Sequence, residues 1–74
     1  MMKTQYVDGA LLDEYFDKSG LRIGFVIDKL GITKSAYYLK KNGKRSFTAS
    51  EVYVICDLLR IPDEDKDKIF CFEG

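Results

Sequence analysis

The chain has 74 residues, of which 46% are hydrophobic and 32% are charged, and its 12 basic and 12 acidic residues give a formal net charge of zero. This length fits one small domain, and the composition is typical of a folded globular chain rather than a disordered one. No apolar run reaches the roughly 18 residues of a membrane span, and the first ten residues lack the apolar stretch of a signal peptide, so we expect neither a membrane segment nor export.

Two amphipathic helices are predicted in the first third of the chain. The first lies between Asp8, which suits an N-cap, and Gly20, which favours a helix end. Its apolar face carries Leu11, Leu12, Tyr15 and Phe16 at helical spacing. The second begins near Arg22 and ends at Gly31. Its apolar face carries Ile23, Val26, Ile27 and Leu30.

A third helix and a loop are predicted next. Thr33 can cap a helix over residues 34–42, which Gly43 closes. In the loop that follows, Phe47 is expected to turn inward. The turn before this helix needs a left-handed backbone at Gly31, a conformation that glycine adopts without a Cβ clash.

Two further helices complete the predicted fold. Thr48 and Glu51 have the spacing of a capping box at the start of a fourth helix. Its buried stripe is predicted at Val52, Ile55, Cys56 and Leu59. Pro62 ends that helix and suits the first turn of a fifth, over residues 63–70. No segment alternates with period two for long enough to predict a strand, so we expect one all-α domain over residues 1–74.

The residues that most enzymes need are missing. The chain has no histidine, no CxxC pair and no phosphate-binding glycine loop, so we expect no enzymatic activity, metal, cofactor or small-molecule substrate. Cys56 and Cys71 both lie among apolar residues and are interpreted as reduced core residues of a cytoplasmic protein. A disulfide between them is the alternative.

Although the formal net charge is zero, the charged residues are distributed unevenly along the chain. Residues 33–47 contain no acidic residue and five basic ones, Lys34, Lys40, Lys41, Lys44 and Arg45. The remaining residues contain seven basic and twelve acidic side chains. A basic segment with two tyrosines suggests a polyanion on that face, and a solvated lysine-rich helix is the alternative.

The middle of the chain has the pattern of a helix-turn-helix unit, in which a tight glycine turn joins two short helices. The run LRIGFVIDKLGIT over residues 21–33, with Asn42-Gly43-Lys44 after it, resembles the lambda-repressor-like (Cro/CI or XRE-type) family. The stretch from Phe47 to Leu59 looks like the fourth helix of small prophage regulators. The resemblance covers residues 8–70. It implies a single five-helix lambda-repressor-like domain, with the helix-turn-helix at about 22–43, that regulates transcription by binding operator DNA.

Two positions depart from that family pattern. Ile27 stands where the family usually has alanine, which should push the second and third helices apart or require a small partner such as Ala36. Lys40 stands where the family often has leucine, and we expect its stem to pack while its ammonium reaches outward.

The resemblance also implies which residues contact DNA. The third helix would enter the major groove. Its outward face supplies the candidate base-reading residues Lys34, Ser35, Tyr38 and Leu39. The candidate phosphate-binding residues are Arg22, Gly24, Thr33, Lys41, Asn42, Lys44 and Arg45. For Tyr38 and Leu39 the alternative is an apolar contact with a loop or partner chain, and for each lysine it is solvation.

Family members usually bind a palindromic operator as homodimers, so the resemblance implies double-stranded DNA and a second copy as partners. The candidate dimer surface is the apolar group Ile69, Phe70 and Phe72, and the alternative is that these residues are ordinary core. Two rival functions remain open. One is a helix-turn-helix adaptor that has lost DNA binding, which the neutral charge and Ile27 favour. The other is an antitoxin, although nothing in the sequence points to a toxin-binding extension.

Overall fold

The computed structural model describes residues 4–73, and five helices make up most of them. In chain order the elements are β1 (Thr4–Val7), α1 (Gly9–Ser19), α2 (Ile23–Leu30), α3 (Lys34–Lys41), α4 (Ala49–Leu59), α5 (Asp63–Ile69) and β2 (Phe70–Glu73). The five predicted helices are confirmed in number and order within this range. None of them combines the length and the apolar character that crossing a bilayer would require.

The two short strands are a feature that the sequence pattern does not predict. β1 and β2 pair antiparallel, with Thr4 opposite Glu73 and Val7 opposite Phe70. Each strand has four residues, too few for a convincing period-two pattern, and its partner lies at the other end of the chain. Phe70, predicted as the end of the fifth helix, instead begins β2. The expectation of an all-α domain is therefore confirmed for the five helices, whereas residues 4–7 and 70–73 form strands that it did not include.

Side-chain caps explain where three of the helices begin. Asp8 Oδ1 accepts a first-turn N–H of α1 at 3.1 Å, and Thr33 Oγ1 does the same for α3 at 3.1 Å. The predicted capping box of α4 is complete. Thr48 Oγ1 accepts the Glu51 N–H at 3.2 Å, and Glu51 Oε1 accepts the Thr48 N–H at 2.9 Å. Each cap satisfies N–H groups that the helix itself leaves unpaired.

The turn between α2 and α3 has the predicted glycine geometry. Gly31 lies at φ +71°, in the left-handed region, and its N–H donates to the carbonyl oxygens of Ile27 at 3.0 Å and Asp28 at 3.2 Å. These bonds end α2. Only Ile32 and Thr33 separate Gly31 from α3, so the two helices are joined by a three-residue turn.

The core fixes which side of α3 faces solvent. Tyr37 of α3 is fully buried and makes edge-to-face contacts with Phe16, at 6.3 Å between ring centroids, and with Phe47, at 6.1 Å. Phe47 therefore turns inward as predicted, and its ring also meets Phe70 at 5.4 Å. Because Tyr37 fills the inner side of α3, the residues on the other side of that helix face outward.

The C-terminal apolar group belongs largely to this core. Ile69 is 0% exposed and Phe70 is 5% exposed. Of the two interpretations offered for these residues, dimer surface and ordinary core, their burial supports the core, because α5 and β2 turn them inward onto the helices. The side chain of Phe72 lies outside the described residues.

The two cysteines differ in their surroundings. Both are free thiols. Cys56 is half-buried, and burial raises the pKa of its thiol, with a smaller contribution from Asp63 and an opposing one from Lys66. Cys71 is exposed on β2, so the interpretation of Cys71 as a core residue is wrong.

Candidate nucleic-acid interface

The four candidate base-reading residues share the solvent-facing side of α3. Lys34 and Ser35 are exposed in its first turn, and Tyr38 and Leu39 are 37% and 42% exposed one turn later. Two large apolar side chains are thus exposed among polar residues on the outer side of this helix. The structure therefore brings Lys34, Ser35, Tyr38 and Leu39 together on one accessible surface, which we call the α3 face.

Tyr38 is held in place from two directions. Its ring packs edge to face on the buried ring of Tyr37, with centroids 5.3 Å apart. The ammonium of Lys41 lies 5.9 Å from the centroid of the Tyr38 ring, within the range of a cation–π contact. The aromatic ring of the α3 face is thus ordered by contacts inside the protein.

Two of the five cations in the basic segment are neutralised within the molecule. Lys40 Nζ donates to both carboxylate oxygens of Glu51, at 2.6 and 2.8 Å, and Lys40 is buried. This corrects the expectation that its ammonium reaches outward. Lys41, a candidate phosphate contact, donates to both oxygens of Asp13 on α1, at 2.8 and 3.0 Å. The sequence count of five cations therefore overstates the charge that this surface offers to a ligand.

The other three cations of the segment are exposed. Lys34, Lys44 and Arg45 take part in no ion pair with any other residue that the structure describes. The backbone N–H groups of Lys44 and Arg45 both donate to the carbonyl oxygen of Leu39, at 2.8 and 3.2 Å. These two bonds fold the chain back against the end of α3. The predicted post-helix cations consequently lie next to the α3 face.

The start of α2 differs from the start of α3, because no described side chain caps it. Arg22 occupies the N-cap position and its side chain caps no backbone group. Beside it, Gly24 is exposed, and a Cβ added there would meet no described atom within 4 Å. The Phe25 N–H donates to the Arg22 carbonyl oxygen at 3.1 Å, while the N–H groups of Ile23 and Gly24 have no partner among the described residues, and this arrangement suits an anion. Thr33 Oγ1 already caps α3, and Asn42 is exposed at the end of α3.

Glu51 is an ionised carboxylate in a partly buried position. Burial alone would raise the pKa of Glu51, but hydrogen bonds from the Lys40 ammonium and the Thr48 N–H, with the Lys40 charge, outweigh it. The net effect holds the pKa below its ordinary value of 4.5. Glu51 therefore keeps its charge, and with it both the Lys40 pair and the cap of α4, at neutral pH.

We expect this lowered pKa to make folding sensitive to acid. The unfolded chain binds the proton more readily than the folded one, so the contribution of Glu51 is complete above about pH 4.5 and disappears as pH falls through the lower folded pKa. Urea unfolding of the parent and of Glu51→Gln between pH 3 and 6 measures this contribution to the free energy of unfolding. Asp57→Asn, on the same helix, is the control. Glu51→Gln should flatten the pH dependence. An unchanged pH profile would contradict the interpretation.

A groove outside the α3 face is the other prominent surface feature. It lies between α4 and α5, has a volume of about 950 Å³, and is lined by Tyr53, Cys56 and Phe70 among others. Tyr53 on this groove is 73% exposed, more than any other large apolar side chain described. No group of three potential metal ligands occurs within residues 4–73.

The sequence reasoning missed the carboxylates that pair with α3. The sequence pattern marks Glu51 only as part of the capping box, and it gives Asp13 no role. Neither pairing has a local sequence signal, because each joins residues on different helices. The chain matches no family model, no curated protein and no solved structure.

Proposed function

We propose that the protein is a sequence-specific DNA-binding regulator of the lambda-repressor-like kind, acting in the cytoplasm, with α3 in the major groove. The observation that carries this proposal is the α3 face itself. A short helix follows a glycine turn, presents an accessible polar and apolar surface, and is bordered by cations that no described carboxylate neutralises. A surface of this kind fits a groove lined by base edges between two phosphate backbones.

The α3 face offers chemistry suited to base edges. The Lys34 ammonium can donate to O6 or N7 of guanine, and Ser35 can donate or accept. Leu39 can contact a thymine methyl group. Because the ring of Tyr38 is already ordered by Tyr37 and Lys41, it gives up little conformational freedom on binding.

Two groups of residues outside the α3 face offer chemistry suited to phosphates. Lys44 and Arg45 lie at the C-terminal end of α3. The first turn of α2, with Arg22, supplies a second group of donors that suits an anion. Such contacts fix the register of a protein on DNA without reading its sequence. Lys41 is withdrawn from this set, because its ammonium is engaged by Asp13. Two copies on a palindromic operator, with half-sites about 34 Å apart, would double these contacts.

A protein–protein adaptor is the second candidate function. The exposed Tyr38 and Tyr53 favour it, because aromatic side chains are enriched at protein interfaces. The neutralisation of Lys40 and Lys41 also favours it, because it removes two of the charges that DNA would use. Both functions employ the same fold and differ in whether polyanions bind.

The deciding experiment is a selection from a pool of random DNA duplexes, followed by salt titration of the selected duplex and a scrambled one. A regulator should enrich a defined sequence, and log affinity should fall linearly with log salt. Tighter binding to the selected duplex at every salt concentration supports sequence reading. If no duplex showed salt-dependent binding, the adaptor function would replace the regulator function as the proposal.

A further inference from the structure

We infer that Asp13 and Glu51 are positioning residues for α3: by holding Lys41 and Lys40, they set how the α3 face is presented to DNA. The inference rests on the proposed function for what the α3 face does. It assigns to two acidic residues on other helices a role in sequence discrimination. Acidic residues beside a DNA-binding surface would ordinarily be expected only to repel the phosphate backbone.

The contact between Lys40 and Glu51 ties α3 to the start of α4. The carboxylate receives Lys40 Nζ on both oxygens, at 2.6 and 2.8 Å, and one of those oxygens also accepts the Thr48 N–H at 2.9 Å. The side chains of Lys40 and Glu51 are 11% and 13% exposed. A short, doubly hydrogen-bonded and largely desolvated ion pair of this kind holds its partners in one geometry.

The contact between Lys41 and Asp13 ties α3 to α1. Lys41 Nζ meets both oxygens of Asp13, and the Lys41 side chain runs along α1 close to Gly9. A Cβ added to Gly9 would lie 3.1 Å from Lys41 Cε, so the stem occupies the space that the glycine leaves. The same ammonium faces the ring of Tyr38. Asp13 is thereby connected, through Lys41, to the α3 face.

The two contacts together restrain α3 more than either does alone. Lys40 and Lys41 are consecutive, so their side chains leave the helix about 100° apart and reach different neighbours. One neighbour is α1 and the other is α4. Asp13 is half exposed, and an ion pair at such a site contributes little to stability. For Asp13 the effect is therefore expected in the orientation of α3 rather than mainly in the free energy of unfolding, whereas loss of the largely desolvated Glu51 pair also lowers that free energy.

The test compares the changes in DNA binding that simple electrostatics and positioning predict, because the two changes have opposite directions. Asp13→Asn and Glu51→Gln each remove one negative charge, and glutamine retains the ability to complete the capping box. Asp17→Asn on α1 and Asp57→Asn on α4 are matched controls, because both are exposed acids in no ion pair among the described residues. Simple electrostatics predicts that all four variants bind every duplex slightly more tightly.

Positioning predicts a different result for the first two variants. Asp13→Asn and Glu51→Gln should lower the ratio of affinities for the selected and scrambled duplexes about tenfold, the equivalent of one good base contact. The controls should keep the parent ratio. Exchanging the two charges in the double variant Asp13→Lys, Lys41→Glu should restore part of the parent ratio of affinities. If all four variants behave alike, the inference is overturned while the proposed function stands.

A DNA-free measurement separates the two proposals. Residual dipolar couplings of backbone amides report the orientation of α3 relative to α1 and α4 in the free protein. A rotated or more mobile α3 in Asp13→Asn and Glu51→Gln, with α1 and α4 unchanged, supports positioning even if the parent fails to select a DNA sequence. In that case only the proposed function falls. An α3 orientation identical to that of the parent in both variants overturns the inference directly.

Discussion

Replacing Ile69 with alanine is expected to lower the free energy of unfolding by about 2–5 kcal/mol. Ile69 is fully buried at the end of α5, and its carbonyl oxygen accepts the Asp8 N–H at 2.9 Å. Truncating the side chain there leaves a cavity in the middle of the core. A domain of this size has roughly 4–11 kcal/mol of total stability, so the decrease is a large share of it. Urea unfolding monitored by circular dichroism measures the change.

Tyr53→Ala serves as the control for that experiment, because Tyr53 is the most exposed large apolar side chain described and should contribute little to the core. Its unfolding midpoint should stay close to that of the parent. The contrary outcome is also well defined. If Ile69→Ala unfolded at the parent urea concentration but weakened self-association in sedimentation experiments, Ile69 would be a dimer contact and its placement in the core would be wrong.

The second large effect is expected on DNA binding, where substitutions in the α3 face should have a different effect from substitutions of the post-helix cations Lys44 and Arg45. Lys34→Ala should cost about 1–3 kcal/mol on the selected duplex and little on a scrambled one, because it removes a donor to a base edge. The double variant Lys44→Ala, Arg45→Ala should weaken both duplexes to a similar degree, because it removes cations that bind phosphates.

Salt titration distinguishes these two classes independently of affinity. The double variant should flatten the plot of log affinity against log salt by about 0.9 for each phosphate that the protein no longer neutralises. Lys68→Ala, which removes a cation from α5, should leave the slope unchanged. If Lys34→Ala weakened both duplexes equally, Lys34 would bind a phosphate and the pose of α3 in the groove would have to be revised.

Most of the helical framework could be predicted because its signals are local. Asp8, Thr33 and Thr48 cap helices through residues only three positions away, and Gly31 ends α2 through its own backbone conformation. Phe47 could be placed inside because a large aromatic residue in a polar loop has few other stable positions. Each of these inferences needs only the neighbouring sequence and the preferences of single residue types.

The features that could not be predicted depend on how the elements meet. Lys40 looks like a surface cation until α4 brings Glu51 within hydrogen-bonding distance, and Lys41 looks like a phosphate ligand until α1 presents Asp13. Ile69 and Phe70 look like an exposed apolar end until the packing of α5 and β2 turns them inward. The number of charged or apolar residues in a segment cannot distinguish these cases, because that number is the same whether a given side chain is buried or exposed.

The pairing of β1 with β2 has a consequence for the order of folding. The ribbon joins the two ends of the described chain, so forming it closes a loop that contains all five helices. Closing so long a loop costs conformational entropy before the strand pairing compensates for it, whereas α2, its turn and α3 form from near neighbours. Interactions that arise after the transition state influence the unfolding rate far more than the folding rate. We therefore expect substitutions in the ribbon to raise the unfolding rate more than they lower the folding rate.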